Sequence, residues 1–405
     1  MSPHHRDSGR PLRLLVTVTL NPNQLRAHLE PIVDLDEVEQ VTLIADGPGP
    51  VMPKLRTVVP PPWLVRVIGR AAAKLVTGIV LGRRERPDWV LGYKLVPHGL
   101  NALAIARLTG SKALIHLIGG ESEWEGGGYR SDNALLDRLP RPVPLLERLL
   151  VAIVARADVV ALMGRQARAD LIRRGVDPAR LFVVPASVDP HRFRPAEAGE
   201  RRYDIVTTAQ FQPRKRIEDV LEAVMLLRRR RPQLRAAVAG TGKLDEALRE
   251  RAGRLGIADA VDFLGFVPDI ERLYGESRVF VLASRREGLS IALTEAMACG
   301  LPAVVTDVGE ARDVVTPGVN GYLVEVGDVA SIVEQVDRLL GDDELRGRMS
   351  AAAVAAARAN SDRRRIADIN RTIFVGAADA PPHPAPDGET DEDRHLLLTE
   401  TPEAR

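Results

Sequence analysis

The sequence predicts an α/β protein built from two doubly wound parallel sheets in tandem, and three observations carry that prediction. The chain has 405 residues, more than one hydrophobic core usually serves, so two domains of about 150–200 residues each are expected. Short runs of Val, Ile and Leu recur with helical stretches between them, as in the strand–helix–strand units of a parallel sheet. That alternation stops once, in the polar stretch from Pro190 to Arg202, and then restarts.

Taken in order, the apolar runs at 12–18, 41–45, 89–92, 113–118 and 159–162 are the candidate strands of the first half. The polar stretch reads as a linker or domain crossing. The second series of strands falls at 205–209, 234–239, 261–264, 279–283, 303–306 and 322–324, with helices expected at 217–230, 243–255, 289–299 and 329–340. This organisation places one domain at 11–190 and a second at 201–360, followed by a helix at 361–378 that is a candidate to cross back onto the first. The last segment, 379–405, holds eight Asp or Glu against two Arg, and Pro381, Pro382, Pro384 and Pro386 interrupt it. It reads as a disordered acidic tail. Ligands are expected beyond the carboxyl ends of the strands, between the two sheets.

Composition excludes several functions. Aromatic residues are 4% of the chain and the net charge is +1, so neither stacking platforms nor a global basic field favours nucleic acid. The single cysteine, Cys299, forms no intramolecular disulfide and suits a reducing cytoplasm. The first ten residues lack the apolar core of a signal peptide, and no apolar run reaches the ~18 residues that span a bilayer. A stretch at 63–86 places Arg66, Arg70 and Lys74 at successive i, i+4 positions among apolar residues. It is a candidate for peripheral contact with anionic lipid, at the inner face of the membrane, or else a surface helix covering the first sheet.

The most informative stretch runs from Val279 to Pro302. A buried strand ends at Ala283, a short polar loop follows, and a helix is expected from Leu289 to Gly300, where glycine caps and Pro302 forbids continuation. Backbone N–H groups of Gly288, Leu289 and Ser290 would then lack intrahelical partners and, helped by the helix dipole, could hold a phosphate. Glu287 and Glu295 stand on either side of this turn with seven residues between them. Glu295 falls on the face that meets such a ligand, where a carboxylate can accept two hydrogen bonds from a ribose diol. Glu287 precedes the helix and can reach a sugar beyond the phosphates.

Here the sequence resembles the retaining glycosyltransferases of the GT-B fold, specifically family four. The resemblance lies in Glu287-Gly-Leu-Ser-Ile-Ala-Leu-Thr-Glu295, in the following Ala-Met-Ala-Cys-Gly-Leu-Pro, in Thr306-Asp-Val-Gly and in Gly318-Val-Asn-Gly321, and it covers most of the second half. It implies two Rossmann-like domains facing a central cleft, a nucleoside-diphosphate sugar as donor, and transfer of a hexosyl or other glycosyl group to an acceptor held by the first domain, with retention of configuration. It further implies that Glu287 contacts the donor sugar, that Gly288, Leu289 and Ser290 contact the sugar or diphosphate through their amides, and that Glu295 contacts the ribose. Lys215 matches the family's diphosphate-binding lysine. The family's arginine five positions earlier is Gln210 here, so Arg214 or Arg216 is expected to supply a second cation. The turn Gly240-Thr-Gly242 lines the nucleotide cleft in this resemblance, and Val267 lies in the segment whose backbone meets the base. No cofactor or metal is implied.

The first half is less explicit. His116, before the glycine-rich acidic loop Gly119-Gly-Glu121-Ser-Glu123-Trp-Glu125, is the candidate histidine against the donor sugar, with the three glutamates as candidates for acceptor hydroxyls. The turn Thr19-Leu-Asn-Pro-Asn-Gln lacks the glycines common in the family after the first strand, which leaves access of the acceptor open. Two rivals stay open as well: a sugar-nucleotide epimerase of similar fold, and a nucleotide-sugar-binding protein without turnover.

Overall fold

The computed structural model describes residues 10–125, 139, 141–196 and 201–376. The acidic tail, 379–405, and the first nine residues lie outside the described residues. The first domain is a parallel sheet in the order β3-β2-β1-β4-β5-β6-β7. Its strands are β1 (Leu12–Thr17), β2 (Val38–Ile44), β3 (Leu55–Val58), β4 (Trp89–Tyr93), β5 (Lys112–Leu117), β6 (Val159–Leu162) and β7 (Leu181–Val183). The second sheet runs β10-β9-β8-β11-β12-β13, from β8 (Tyr203–Thr208), β9 (Ala236–Ala239), β10 (Val261–Gly265), β11 (Ser277–Leu282), β12 (Ala303–Thr306) and β13 (Gly321–Val324). Both sheets are parallel throughout. Strand order reverses at β1/β4 in one and at β8/β11 in the other, and such switch points open crevices at the strands' carboxyl ends.

The strands are apolar on both faces because helices cover both sides. In the first domain α1 (Pro22–Val33) lies on one face, and α2 (Pro62–Glu85), α3 (Leu100–Thr109) and α4 (Pro144–Val154) lie on the other. In the second, α6 (Ile217–Arg228) buries Ile217, Val220, Leu221, Val224 and Leu227, a stripe at helical spacing facing the sheet. The remaining helices are α5 (Arg165–Arg173), α7 (Asp245–Arg254), α8 (Ile270–Gly275), α9 (Ile291–Ala298), α10 (Val329–Gly341), α11 (Asp343–Ser361) and α12 (Arg363–Val375).

Helix α12 leaves the second domain and packs on the first. Its Ile366, Ile369, Ile373 and Phe374 join the core beneath α1 and β1, the Phe374 ring meets Trp89 edge-on at 5.6 Å, and Arg363 donates to both oxygens of Asp34 at 2.5 and 2.7 Å. The two domains also share one apolar cluster, in which Ala27, Met163 and Ala186 of the first pack with Leu289, Met297 and Val314 of the second.

Three details differ from the sequence reading. Strands β3 and β7 were not anticipated. They are short and only partly buried edges, so neither carries the long apolar run that marks a central strand. Helix α9 begins at Ile291 rather than Leu289, because the Ser290 side chain caps it by accepting from the Leu293 N–H at 3.4 Å. Helix α2 is broken at Gly69, whose φ of 78° is left-handed. Arg66 and Arg70 therefore stay exposed while Lys74 turns inward and is 1% exposed. The three cations do not form one surface stripe.

Candidate active site

Strand β11 delivers the central turn. Ser284 is fully buried at its end, and Glu287 follows after two arginines. Glu287 accepts from Ser284 Oγ at 2.6 Å and from Lys215 Nζ, with Arg214 Nη1 at 3.6 Å. Only 11% of the Glu287 side chain and 11% of that of Lys215 are exposed. A short 3₁₀ turn, Pro213–Lys215, presents the lysine, and it is fastened to the Glu287 loop because the Arg285 N–H donates to the Arg214 carbonyl at 2.7 Å. Sequence positions 215 and 287 are thereby brought into one ion pair, and the carboxylate oxygens become the meeting point of both cations.

The cation that stands beside Glu287 together with Lys215 is Arg214 and not Arg216. Arg216 sits in the left-handed region, φ 47°, and is committed to a bidentate pair with Asp219 at 2.6 and 2.9 Å. Gln210, where the family has arginine, is exposed and accepts from the neighbouring Gln212 side chain at 3.0 Å.

The amides of Gly288, Leu289 and Ser290 lie in the turn before α9, not in its first helical turn, and they have no hydrogen-bond partner among the described residues. The turn is held from two sides. A Cβ on Gly288 would stand 2.3 Å from the Ile118 carbonyl oxygen of the first domain, and a Cβ on Gly309 would stand 2.1 Å from the Glu287 carbonyl oxygen. The loop after β5, the Glu287–Gly288 turn and the loop after β12 are thus stacked backbone on backbone. Beside this stack lies an interdomain cavity of about 260 Å³, lined by Glu121, Glu125 and Gln166 from one domain and Arg285, Arg286, Glu287 and 307–310 from the other.

Glu295 is partly buried on α9. Loss of hydration pushes its carboxyl up to about 8, with Glu271 acting in the same direction and Arg192 opposing. Its side chain makes no protein hydrogen bond among the described residues, so both carboxyl oxygens remain for a ligand.

Glycines 240 and 242 leave room for a close approach within the chain itself. A Cβ on Gly240, φ 140°, would meet the Ala209 carbonyl oxygen at 1.8 Å, and one on Gly242 would meet the Phe211 carbonyl oxygen at 2.4 Å. The close approach they permit is between the turns after β8 and β9. Val267 is partly buried against the cluster shared by the two domains.

His116 is corrected outright. It is 3% exposed, its Nε2–H donates to the Val184 carbonyl at 3.0 Å, and its ring packs against His28 and Tyr93 at 5.0 Å each. Burial, with His28 adding, holds its pKa well below the usual histidine range. Alternation along β5 turns this side chain into the core under α1, so the strand end meets the other domain through the Ile118 backbone instead.

Of the three glutamates, Glu123 is buried and structural, accepting from the N–H of Leu95 at 2.5 Å and of Gly119 at 2.6 Å. Glu125 pairs with Arg174. Glu121 lines the interdomain cavity.

Sequence reasoning missed the polar cluster at the β1/β4 switch point. Lys74 Nζ donates to the Val18 carbonyl at 2.7 Å, Thr19 Oγ1 at 2.9 Å and Asp46 Oδ2 at 2.9 Å. The Thr19 hydroxyl donates to Asp46 at 2.7 Å, so it accepts from His98 Nε2 at 3.1 Å, which leaves His98 Nδ1 to accept from Thr17 Oγ1 at 3.0 Å. That pattern requires neutral His98, whose pKa burial and the nearby Lys74 lower to about 3. The glycine-free turn is completed by a capping box, in which Asn21 Oδ1 accepts from the Gln24 N–H and the Gln24 side chain accepts from the Asn21 N–H. The only local signal was a histidine soon after an apolar strand.

Comparison with known proteins gives a family match over the second domain and fold matches over both. Residues 189–355 match the family described as glycosyl transferases group 1. A D-inositol 3-phosphate glycosyltransferase of Geodermatophilus obscurus is 35% identical over 215 residues, 48% of this chain and 48% of that protein. A GDP-mannose-dependent alpha-(1-6)-phosphatidylinositol monomannoside mannosyltransferase of Mycolicibacterium smegmatis is 31% identical over 229 residues, 52% of this chain and 60% of that one. The chain thus spans about half the length of the curated relatives it matches. Among solved structures, Anabaena Alr3699/HepE in complex with UDP-glucose superposes with a TM-score of 0.71 at 18% identity, over 89% of this chain and 99% of that one. Sucrose-phosphate synthase from Thermosynechococcus elongatus gives 0.73 at 18% identity, over 90% and 99%. Residues 189–355 thus match the glycosyl transferases group 1 family model, and the two sheets together have the GT-B fold of these solved structures.

Proposed function

We propose that the protein transfers a glycosyl group from a nucleoside-diphosphate sugar to an acceptor hydroxyl, with retention of configuration. One observation carries the reading: the unpartnered amides of 288–290 lie in the same turn as Glu287, with Lys215 and Arg214 against it. In this reading the diphosphate takes the amides and draws Lys215 away from Glu287. The released carboxylate then accepts hydroxyl hydrogen bonds from the donor sugar. Bond cleavage between the anomeric carbon and the diphosphate oxygen builds charge on the leaving group, where the cations and amides stabilise it. The acceptor oxygen forms the new bond and its proton leaves with the diphosphate. Relatives named as glycosyltransferases and a UDP-glucose complex of the same fold support the donor class.

The reading includes metal-independent catalysis, because cations and amides already converge on the diphosphate position. It also includes a cytoplasmic location with reversible contact at the inner face of the membrane. Trp63, Val67 and Ile68 are exposed on α2 beside Arg66 and Arg70, which suits an anionic lipid surface. Among the described residues no helix is long and apolar enough to cross a membrane.

The test is a panel of UDP-, GDP- and ADP-sugars scored for release of nucleoside diphosphate, with and without chelator. Release from one donor class, unchanged by chelator, is expected. Affinity without release would identify a binding protein, and loss in chelator restored by magnesium would overturn metal independence. Cosedimentation with phosphatidylglycerol vesicles, weakened by Trp63→Ala, checks the lipid contact.

A further inference from the structure

Helix α5 of the first domain begins at Arg165 after Gly164, a residue with no side chain to cap it. The first N–H groups of any helix lack intrahelical partners, and here the other domain supplies all of the first three. Asp313 Oδ2 accepts from the Arg165 N–H at 2.7 Å, Glu310 Oε2 accepts from that of Gln166 at 2.9 Å, and Glu310 Oε1 accepts from that of Ala167 at 2.9 Å. Asp313 Oδ1 also takes Arg165 Nε at 3.0 Å. Glu310 is 2% exposed, and its carboxylate occupies the space where a side chain at position 164 would begin: a Cβ there would stand 2.3 Å from Oε2.

The same residue is tied to the proposed donor turn. The Glu310 N–H donates to the Gly288 carbonyl at 3.2 Å, and Gly309 leaves no room for a Cβ against Glu287. Side chain and backbone of Glu310 therefore connect the first domain's helix to the turn that carries Glu287. Burial raises its carboxyl to about 7, with Asp313 and Glu121 adding to that and the two amides opposing, so the contact is kept against a hydration cost.

We propose that Glu310 is a positioning residue, an interdomain latch that caps α5 from the opposite domain and thereby holds the Glu287–Gly288 turn in register with the first domain for transfer. The catalytic part of this rests on the glycosyltransferase reading above; the latch itself does not.

Three variants of the full chain separate the latch from mere helix capping. Glu310→Ala removes both functions. Gly164→Ser supplies a local cap, at an extended φ of −165° that serine adopts freely, and its Cβ displaces the Glu310 carboxylate. The double variant caps α5 with no latch. Melting temperature, small-angle scattering, and steady-state nucleoside-diphosphate release from the sugar nucleotide that the wild type uses are measured for each. Glu310→Ala is expected to lower kcat by about 10- to 100-fold, as misplacement of reacting groups does, with the donor KM within about threefold, and to lower the melting temperature. Gly164→Ser alone should lower kcat similarly while keeping the melting temperature, and the double variant should regain stability but not rate. All three should scatter as more open molecules. Recovery of kcat together with stability in the double variant, or wild-type kcat in Gly164→Ser, would overturn the proposal. If the wild type releases nucleoside diphosphate from no donor, the glycosyltransferase reading fails, and scattering still decides the latch: superimposable profiles refute it.

Discussion

Glu287→Gln tests the centre of the site. The substitution keeps size and one carbonyl acceptor but turns the other position into a donor, facing Lys215 or Arg214. In the structure Glu287 accepts from both Ser284 and Lys215, and Arg214 stands 3.6 Å away as a second counter-charge. Replacing a charge-assisted hydrogen bond by a neutral one costs about 1–2 kcal/mol, and Lys215, 11% exposed, loses its counter-charge, so a stability loss of about 1–3 kcal/mol is expected. A loop carboxylate judged from sequence alone would predict no such loss. Donor transfer should fall by about 10²–10³, or about 3–4 kcal/mol of transition-state stabilisation. Affinity for the free nucleoside diphosphate should hold or rise, because Lys215 is released from a competitor. Calorimetric titration with UDP, GDP and ADP, thermal melts and nucleoside-diphosphate release give the three readouts. Transfer at the wild-type rate, or a tenfold loss of nucleotide affinity, would refute the placement of the donor sugar at Glu287.

Glu295 gives a pH signature. Its folded pKa, about 8, lies above the ordinary 4.5, so the folded state keeps a proton that the unfolded chain has lost, and stability falls as pH rises between the two values. Glu310 has the same sign but finishes near 7, while the buried histidines act only below their ordinary value of 6.5. A stability decline between pH 7 and 8 that is flattened in Glu295→Gln, with a rise in donor kcat/KM over the same interval that the variant lacks, is the expected result; equal slopes in both proteins would refute it. Lys215→Met should lower kcat by about a hundredfold or more, and activity within about twofold of wild type would make the lysine merely structural. Gly288→Ala forces a methyl to 2.3 Å from the Ile118 carbonyl oxygen, so the facing turns must separate. A stability loss of about 1–3 kcal/mol is expected with loss of transfer, and a melt and rate matching the wild type would show that the turns do not need this contact.

What could be read from the amino-acid sequence is what local order encodes. Buried parallel strands announce themselves as apolar runs, and a strand, turn and helix within two dozen residues kept Glu287, Gly288, Ser290 and Glu295 in one legible segment. The edge strands Leu55–Val58 and Leu181–Val183 escaped because half-exposed edges need no long apolar run. Tertiary structure alone decided which way His116 faces, since one step along a strand moves a side chain from cleft to core. It turned Lys74 inward to Asp46, across a break at Gly69 that helical periodicity does not show. It also chose Arg214 over Arg216, by giving Arg216 to Asp219. The Glu310 contact was the least legible of all. Its partners are 143 and 144 residues away, and a helix that begins after glycine, read alone, shows missing capping groups but not the distant carboxylate that supplies them.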